Sequence, residues 1–193
     1  MESRIYLIRH GKTIANEQRL YCGATDLPLS EGGAEEIRLF KSEGIYPAAE
    51  LFFTSGLLRT TQTLDIIYGG VNKKAIPEIS EYRFGEFEMQ SYEDLKERED
   101  YQAWITDETG DIKCPGGESK NRFNKRVTDG FNNILSQAGG SPAFVSCHGG
   151  AIACIMERLC PGAQNFYEWQ PKPGRGYALI FDDSGRLHIY NKI

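Results

Sequence analysis

The sequence predicts an α/β fold: a mainly parallel sheet covered by helices on both faces, with an antiparallel hairpin at its C-terminal end. Three observations predict it. First, the short apolar runs Tyr6-Leu7-Ile8, Leu51-Phe52-Phe53 and Ala143-Phe144-Val145 are too short for helices and read as buried strands. Second, each run breaks into polar or glycine-bearing residues and then into a stretch of helical period, and strands alternating with helices form parallel sheets. Third, Tyr177-Ala178-Leu179-Ile180-Phe181 and Leu187-His188-Ile189-Tyr190 are joined by Asp182-Asp183-Ser184-Gly185, a hairpin signal.

Taken in order, the first strand stops at Arg9-His10-Gly11, which delivers a cation and an imidazole to one point. Gly11 lets the backbone turn tightly and approach a ligand. Residues 14–29 are polar and contain Gly23-Ala24-Thr25-Asp26-Leu27-Pro28, so a loop is expected there. Ser30 is the expected N-cap of a helix over 31–43, with Ala34, Ile37 and Phe40 on one face. Gly32-Gly33 leaves its first turn either frayed or closely packed. The second strand ends in Thr54-Ser55-Gly56, and the helix after it carries Arg59 near its start, runs to Tyr68 and ends at Gly69-Gly70. Ala75-Ile76-Pro77 allows a brief strand, and 78–88 is a loop crowded with acids and aromatics.

Ser91-Tyr92-Glu93-Asp94 fits a capping box and opens helical structure reaching 107, with a break near Asp100. Cys114-Pro115-Gly116-Gly117 interrupts the chain. Phe123, Val127, Phe131, Ile134 and Leu135 then mark one face of a long amphipathic helix closed by Gly139-Gly140. The third strand runs into His148-Gly149-Gly150, and a helix follows to Leu159 before Pro161-Gly162. No repeat, linker or low-complexity tract divides the chain, so one domain over 1–193 is expected.

Composition narrows the function. Hydrophobic residues are 40% and charged residues 25% of 193, an ordinary globular balance. A net charge of -5 and the lack of a Lys/Arg block argue against nucleic acid as a partner. An anionic substrate must therefore be held by a local positive cluster working against the overall field. No apolar run reaches membrane-spanning length, so no membrane partner is expected. Met1-Glu2-Ser3-Arg4 leads straight into a strand, so no signal peptide is expected. Five cysteines without a CxxC pair argue against a disulfide framework and point to a cytoplasmic setting.

In a parallel sheet the carboxyl ends of the strands lie along one edge, where ligands sit. That edge would gather Arg9 and His10, then Ser55 and Arg59, then His148 and Gly149. Two guanidiniums match a phosphate dianion with planar, bidentate donors. Helix N-termini after Gly56 and Gly149 add backbone N–H donors. A neutral imidazole among these cations is a nucleophile toward phosphorus, and a second can donate to the phosphoryl oxygens. The leaving alkoxide needs an acid, for which Glu81 is the candidate by motif position.

These blocks resemble the histidine phosphatase superfamily, also called phosphoglycerate mutase-like. The resemblance rests on Leu7-Ile8-Arg9-His10-Gly11-Lys12-Thr13 with Asn16, on 23–30 with Gly33, on 55–63, on Glu81 with Phe84-Gly85, on Pro115-Gly116-Gly117-Glu118-Ser119, and on Ser146-Cys147-His148-Gly149-Gly150. It implies a three-layer α/β/α sandwich and a phosphomonoesterase acting on a small phosphorylated metabolite, without metal or cofactor. It also implies that His10 accepts the phosphoryl group, that Arg9, Arg59 and His148 form the phosphate pocket with Asn16 touching it, and that Glu81 is the proton donor. Gly23 and Thr25 would line the substrate side, with Gly149 at the phosphate end. Phe87-Glu88-Met89 departs from the Trp-Glu-Gly-like element common in the family. The short chain and the Lys12-Thr13 pattern are more similar to the phosphatase branch, with α-ribazole phosphatase and broad-specificity types nearest.

Blander readings stand beside each assignment. Arg9 and His10 alone would be a solvated strand end, Arg59 a helix-surface residue, and His148 a capping histidine. Glu78, Glu86 and Glu88 compete with Glu81. Cys147 beside His148 suggests a thiol hydrolase, but adjacent strand residues face opposite sides of the sheet. His188 reads as an ordinary strand residue. A phosphoglycerate mutase and a non-catalytic phospho-ligand binder are the alternative functions, and oligomeric state is left open.

Overall fold

The structure, a computed structural model, describes residues 3–193; Met1 and Glu2 lie outside the described residues. The strands are β1 (Ser3–Arg9), β2 (Leu51–Thr54), β3 (Lys74–Ala75), β4 (Ala143–Cys147), β5 (Gly176–Phe181) and β6 (Leu187–Lys192). The helices are α1 (Ile14–Glu17), α2 (Glu31–Ser42), α3 (Leu58–Tyr68), α4 (Tyr92–Leu95), α5 (Glu99–Ile105), α6 (Lys120–Ala138) and α7 (Gly149–Leu159). The strands form one sheet in the order β3-β2-β4-β1-β5-β6. β1, β2, β3 and β4 run parallel, and β5 and β6 add antiparallel strands on one side, as the hairpin signal predicts.

Period-two alternation assigns the two faces. Leu7, Phe53 and Val145 join α6 and α7 in one core, with Phe123, Val127 and Ile152 opposite them. Ile8 and Phe144 point the other way and meet Ile37 of α2 and Leu64 and Ile67 of α3. Each face is thus closed by its own helix pair, giving helix–sheet–helix layers. Register aligns the business ends. Arg9 lies beside Cys147, and Ser146 lies beside both Ile8 and Thr54. His10, Ser55 and His148 therefore leave the sheet at one level.

The structure adds and corrects local detail. Residues 14–17 are helical rather than loop. Thr13 and Asn16 form a reciprocal capping box, with Asn16 Oδ1 accepting from Thr13 N at 3.0 Å. A single turn is too short to carry an apolar period, so the pattern could not register it. The helical break falls at 96–98 rather than at Asp100. Asp100 instead stabilises the start of α5, accepting from Arg98 Nε at 3.0 Å and Nη2 at 2.7 Å and from Tyr101 N at 2.8 Å. The break lets Leu95, Tyr101 and Trp104 all reach the core. The start of α2 is closely packed, since a Cβ on Gly33 would lie 2.2 Å from the Lys12 carbonyl oxygen. All five cysteines are free thiols. No helix among the described residues is long and apolar enough to cross a membrane.

Candidate active site

The end of β1 presents His10 in a defined tautomer. Its Nδ1 lies 2.6 Å from the Gly11 carbonyl oxygen. A carbonyl only accepts, so Nδ1 carries the proton and Nε2 keeps a bare lone pair. The ring is buried, and its pKa is held well below the ordinary histidine value. Burial is the main cause, followed by the Arg59 and Arg9 charges, with the Gly11 bond opposing. The lone pair is therefore available at neutral pH.

His148 follows β4 and packs edge-on to His10, with ring centroids 5.1 Å apart. Its Nε2 is 2.8 Å from Ser55 Oγ, which is 3.1 Å from Thr60 Oγ1. Thr60 donates to the Leu57 carbonyl at 2.8 Å, so Ser55 donates to Thr60 and accepts from His148. His148 Nδ1 is buried without a partner among the described residues. Desolvation, then Arg59, His10 and the more distant arginines, depress the pKa of His148 as well. Cys147 points instead into the α6/α7 core, where burial pushes its thiol pKa upward. The two neighbours share no chemistry.

Two arginines flank the imidazoles. Arg9 Nη1 donates to the Pro171 carbonyl at 2.9 Å, while its buried Nε has no partner among the described residues. Gly149 backs the Arg9 guanidinium: a Cβ there would lie 3.0 Å from Cζ. Burial lowers the Arg9 pKa, and Glu81 opposes that shift. Arg59 is fully buried and donates to the carbonyls of Gly23 (2.7 Å) and Thr25 (2.9 Å). Thr63 links α3 to β1, accepting from Gly11 N at 2.9 Å and donating to the Arg59 carbonyl at 2.7 Å.

The 23–25 loop that steers Arg59 is itself organised by Glu88. Its carboxylate accepts from Gly23 N, Ala24 N, Thr25 N, Thr25 Oγ1 and Phe84 N at 2.8–3.2 Å. The sequence displayed Glu88 as part of a departure from the family pattern and as a competitor of Glu81, not as the organiser of this loop. Its next neighbour, Met89, adopts φ 59°, the left-handed geometry that suits glycine. The glycine-like turn is thus kept without the glycine.

Glu81 stands opposite, on the 78–88 loop. Its Oε2 accepts from Gly150 N at 2.9 Å and its Oε1 from Tyr82 N at 2.9 Å. Arg126 clamps this loop, donating to the carbonyls of Glu78 (2.7 Å), Ser80 (2.9 Å) and Glu81 (3.2 Å). Glu118 holds Arg126 through a buried ion pair and accepts from Arg83 N at 2.9 Å. Gly85 sits against the 115–117 turn so closely that a Cβ would lie 2.1 Å from the Pro115 carbonyl oxygen. The Phe84-Gly85 and Pro115–Ser119 blocks are therefore two halves of one support. Glu118, Arg126, Ser55 and Glu88 escaped the sequence reading as partners because their bonds join residues distant in the chain.

Arg9, Glu81 and Gly150 open into a cleft of about 500 Å³. Tyr21, Phe84, Trp104, Phe123, Phe166 and Tyr167 wall it, and Asn16 lies on its rim. Asn16 Oδ1 is committed to Thr13, leaving its amide nitrogen as the donor toward ligand. Gly23 and Thr25 act behind Arg59, and Gly150 rather than Gly149 lines the cleft. His188 lies on exposed β6, outside the cleft lining.

This geometry agrees with the comparisons. Adenosylcobalamin/alpha-ribazole phosphatase of Salmonella typhimurium is 28% identical over 81% of this chain and 79% of its own length. A Cronobacter sakazakii protein named "Probable phosphoglycerate mutase GpmB" is 29% identical over 81% of this chain and 74% of its own. The crystal structure of the alpha-ribazole phosphatase from Shigella flexneri superposes with a TM-score of 0.84 at 27% identity, covering 97% of this chain and 96% of that one. Residues 5–189 match the histidine phosphatase superfamily (branch 1), and the chain belongs to that family of phosphatases and mutases.

Proposed function

We propose that the chain is a phosphomonoesterase working through a phosphohistidine on His10. The observation that carries this reading is the His10 tautomer: Nδ1 is tied to Gly11, and Nε2 is bare beside two guanidiniums and a second imidazole. The dianion binds against Arg9, Arg59 and Asn16. Nε2 of His10 attacks phosphorus as the P–O bond to the alcohol breaks. The bound dianion draws a proton onto His148, and the imidazolium donates from Nδ1 to a phosphoryl oxygen while Nε2 donates to Ser55. Glu81 delivers a proton to the leaving oxygen, then takes one from the water that cleaves the P–N bond. The Salmonella relative supports hydrolysis of a small phosphorylated metabolite, and the aromatic walls suit an alcohol with a planar, apolar body. No metal enters these steps.

His10→Ala should abolish p-nitrophenyl phosphate hydrolysis and the acid-labile phosphoenzyme trapped on quenching, without loss of fold. Normal turnover by that variant would refute the nucleophile. Glu81→Gln should slow alkyl phosphates far more than p-nitrophenyl phosphate. Reversible inhibition by EDTA would point to metal-dependent chemistry instead. The relative named as a mutase supports a second reading, phosphoryl return to phosphoglycerate. Isomerisation of phosphoglycerate without phosphate release would establish that reading.

A further inference from the structure

The cleft has a chemical polarity of its own. One turn of α6 contributes Lys120, Phe123 and Asn124, and α7 contributes Gly150 and Glu157. Gly150 and Glu157 are seven residues apart, two helical turns, so they share a face with Cα atoms about 10 Å apart along the axis. Gly150 N–H holds Glu81 at the near end. Because helical side chains lean toward the N-terminus, the Glu157 carboxylate reaches back to about 7–10 Å from the leaving oxygen's position.

The cations in the cleft lining are turned to backbone carbonyls rather than to Glu157. Lys120 Nζ donates to the Asp107 carbonyl at 2.6 Å, and Arg9 to Pro171. Glu157 is half-buried, and among the described residues nothing hydrogen-bonds or ion-pairs with it. Its pKa is raised by burial alone. An unpartnered carboxylate in a partly dry wall is a standing cost that a ligand's donor or cation relieves. The same carboxylate repels a ligand's second anionic group.

We propose that Glu157 is a specificity-determining residue: it selects phosphate esters whose planar alcohol carries a hydrogen-bond donor or a positive charge 7–10 Å from the ester oxygen, and rejects those carrying a carboxylate there. This rests on the phosphatase reading for the place of the ester.

Three aryl phosphates of similar leaving-group strength test it: tyramine O-phosphate, 4-ethylphenyl phosphate and the phosphate of 3-(4-hydroxyphenyl)propionate. Binding is measured by calorimetry in the His10→Ala background, so that turnover does not intrude. A charge contact at this depth is worth about tenfold in each direction, so the cationic ester should bind about a hundredfold tighter than the anionic one. Glu157→Gln keeps the volume and should bring the two within about threefold, leaving 4-ethylphenyl phosphate unchanged. Equal binding of the charged esters, or a preference that survives Glu157→Gln, would overturn the proposal. Turnover is read separately in the chain with His10 intact. If it binds 4-ethylphenyl phosphate without releasing phosphate, the phosphatase reading fails while the Kd ratios still decide the role of Glu157.

Discussion

Replacing Glu88 with Gln tests whether the phosphate site is built from the loop outward. Glu88 Oε1 accepts from Ala24 N and Phe84 N, Oε2 from Thr25 N and Thr25 Oγ1, and both from Gly23 N. Gln keeps the shape but turns one oxygen into an NH2 facing those donors. With the amide in either orientation, about two charge-assisted bonds are lost, each worth about 1.5–3 kcal/mol. Part of that is recovered because the 23–25 loop is half-exposed and water can enter, leaving a net destabilisation of about 2–3 kcal/mol. The functional effect is indirect. The Gly23 and Thr25 carbonyls aim Arg59, so a relaxed loop lets the guanidinium drift from the position proposed for the phosphate. A displacement near 1 Å costs about 10²-fold in kcat/KM. Urea unfolding gives the first number and p-nitrophenyl phosphate kinetics the second, both at a temperature where the variant remains folded. Wild-type stability together with wild-type kcat/KM would refute the reasoning.

Stability should also depend on pH through the two buried histidines. Their pKa values are depressed in the fold, whereas in the unfolded chain they titrate near 6.5, so below that pH only the unfolded chain takes up the protons. Their contribution is complete above pH 6.5 and falls as pH drops toward the folded values, each adding up to about 1.4 kcal/mol per pH unit to the slope. His148→Gln should remove one such increment between pH 6.5 and 5 in urea titrations; identical slopes would contradict it. Met89→Gly should stabilise the protein by about 0.5–1 kcal/mol if relief of the left-handed backbone strain outweighs the lost packing of a side chain that is 37% exposed; thermal melts check this, and a lower melting temperature would contradict it. Gly150→Ala places a Cβ 2.3 Å from Glu81 Oε1 and should push the carboxylate aside. Alkyl phosphate turnover should fall about 10²-fold with stability nearly unchanged, since Ala suits a helix better than Gly.

Much of the architecture was legible before any coordinates. Apolar runs such as Leu51-Phe52-Phe53 and breakers such as Gly139-Gly140 are local signals, and local signals place strands and helix ends. The errors lie where one turn is too short to carry a period, as at Ile14–Glu17, or where an ion pair moves a boundary, as at Asp100. The candidate site was legible as residue types following the strands, Arg9, His10, Arg59 and His148, with Glu81 offered only by its motif position in the 78–88 loop. Their supports were not, because Glu88 is 65 residues from Gly23, Ser55 is 93 from His148, and Arg126 is 45 from Glu81.

By itself, then, the sequence determined the order of strands and helices and which chemistry-bearing side chains stand at their junctions, because apolar period and turn residues act within a few positions. Only the tertiary structure decided which nitrogen of His10 is bare, that Glu88 holds the loop that meets Arg59, and that Glu157 lines the cleft. Tautomers, clamps and cleft walls are set by contacts between distant segments, and those exist only once the sheet has closed against its helices.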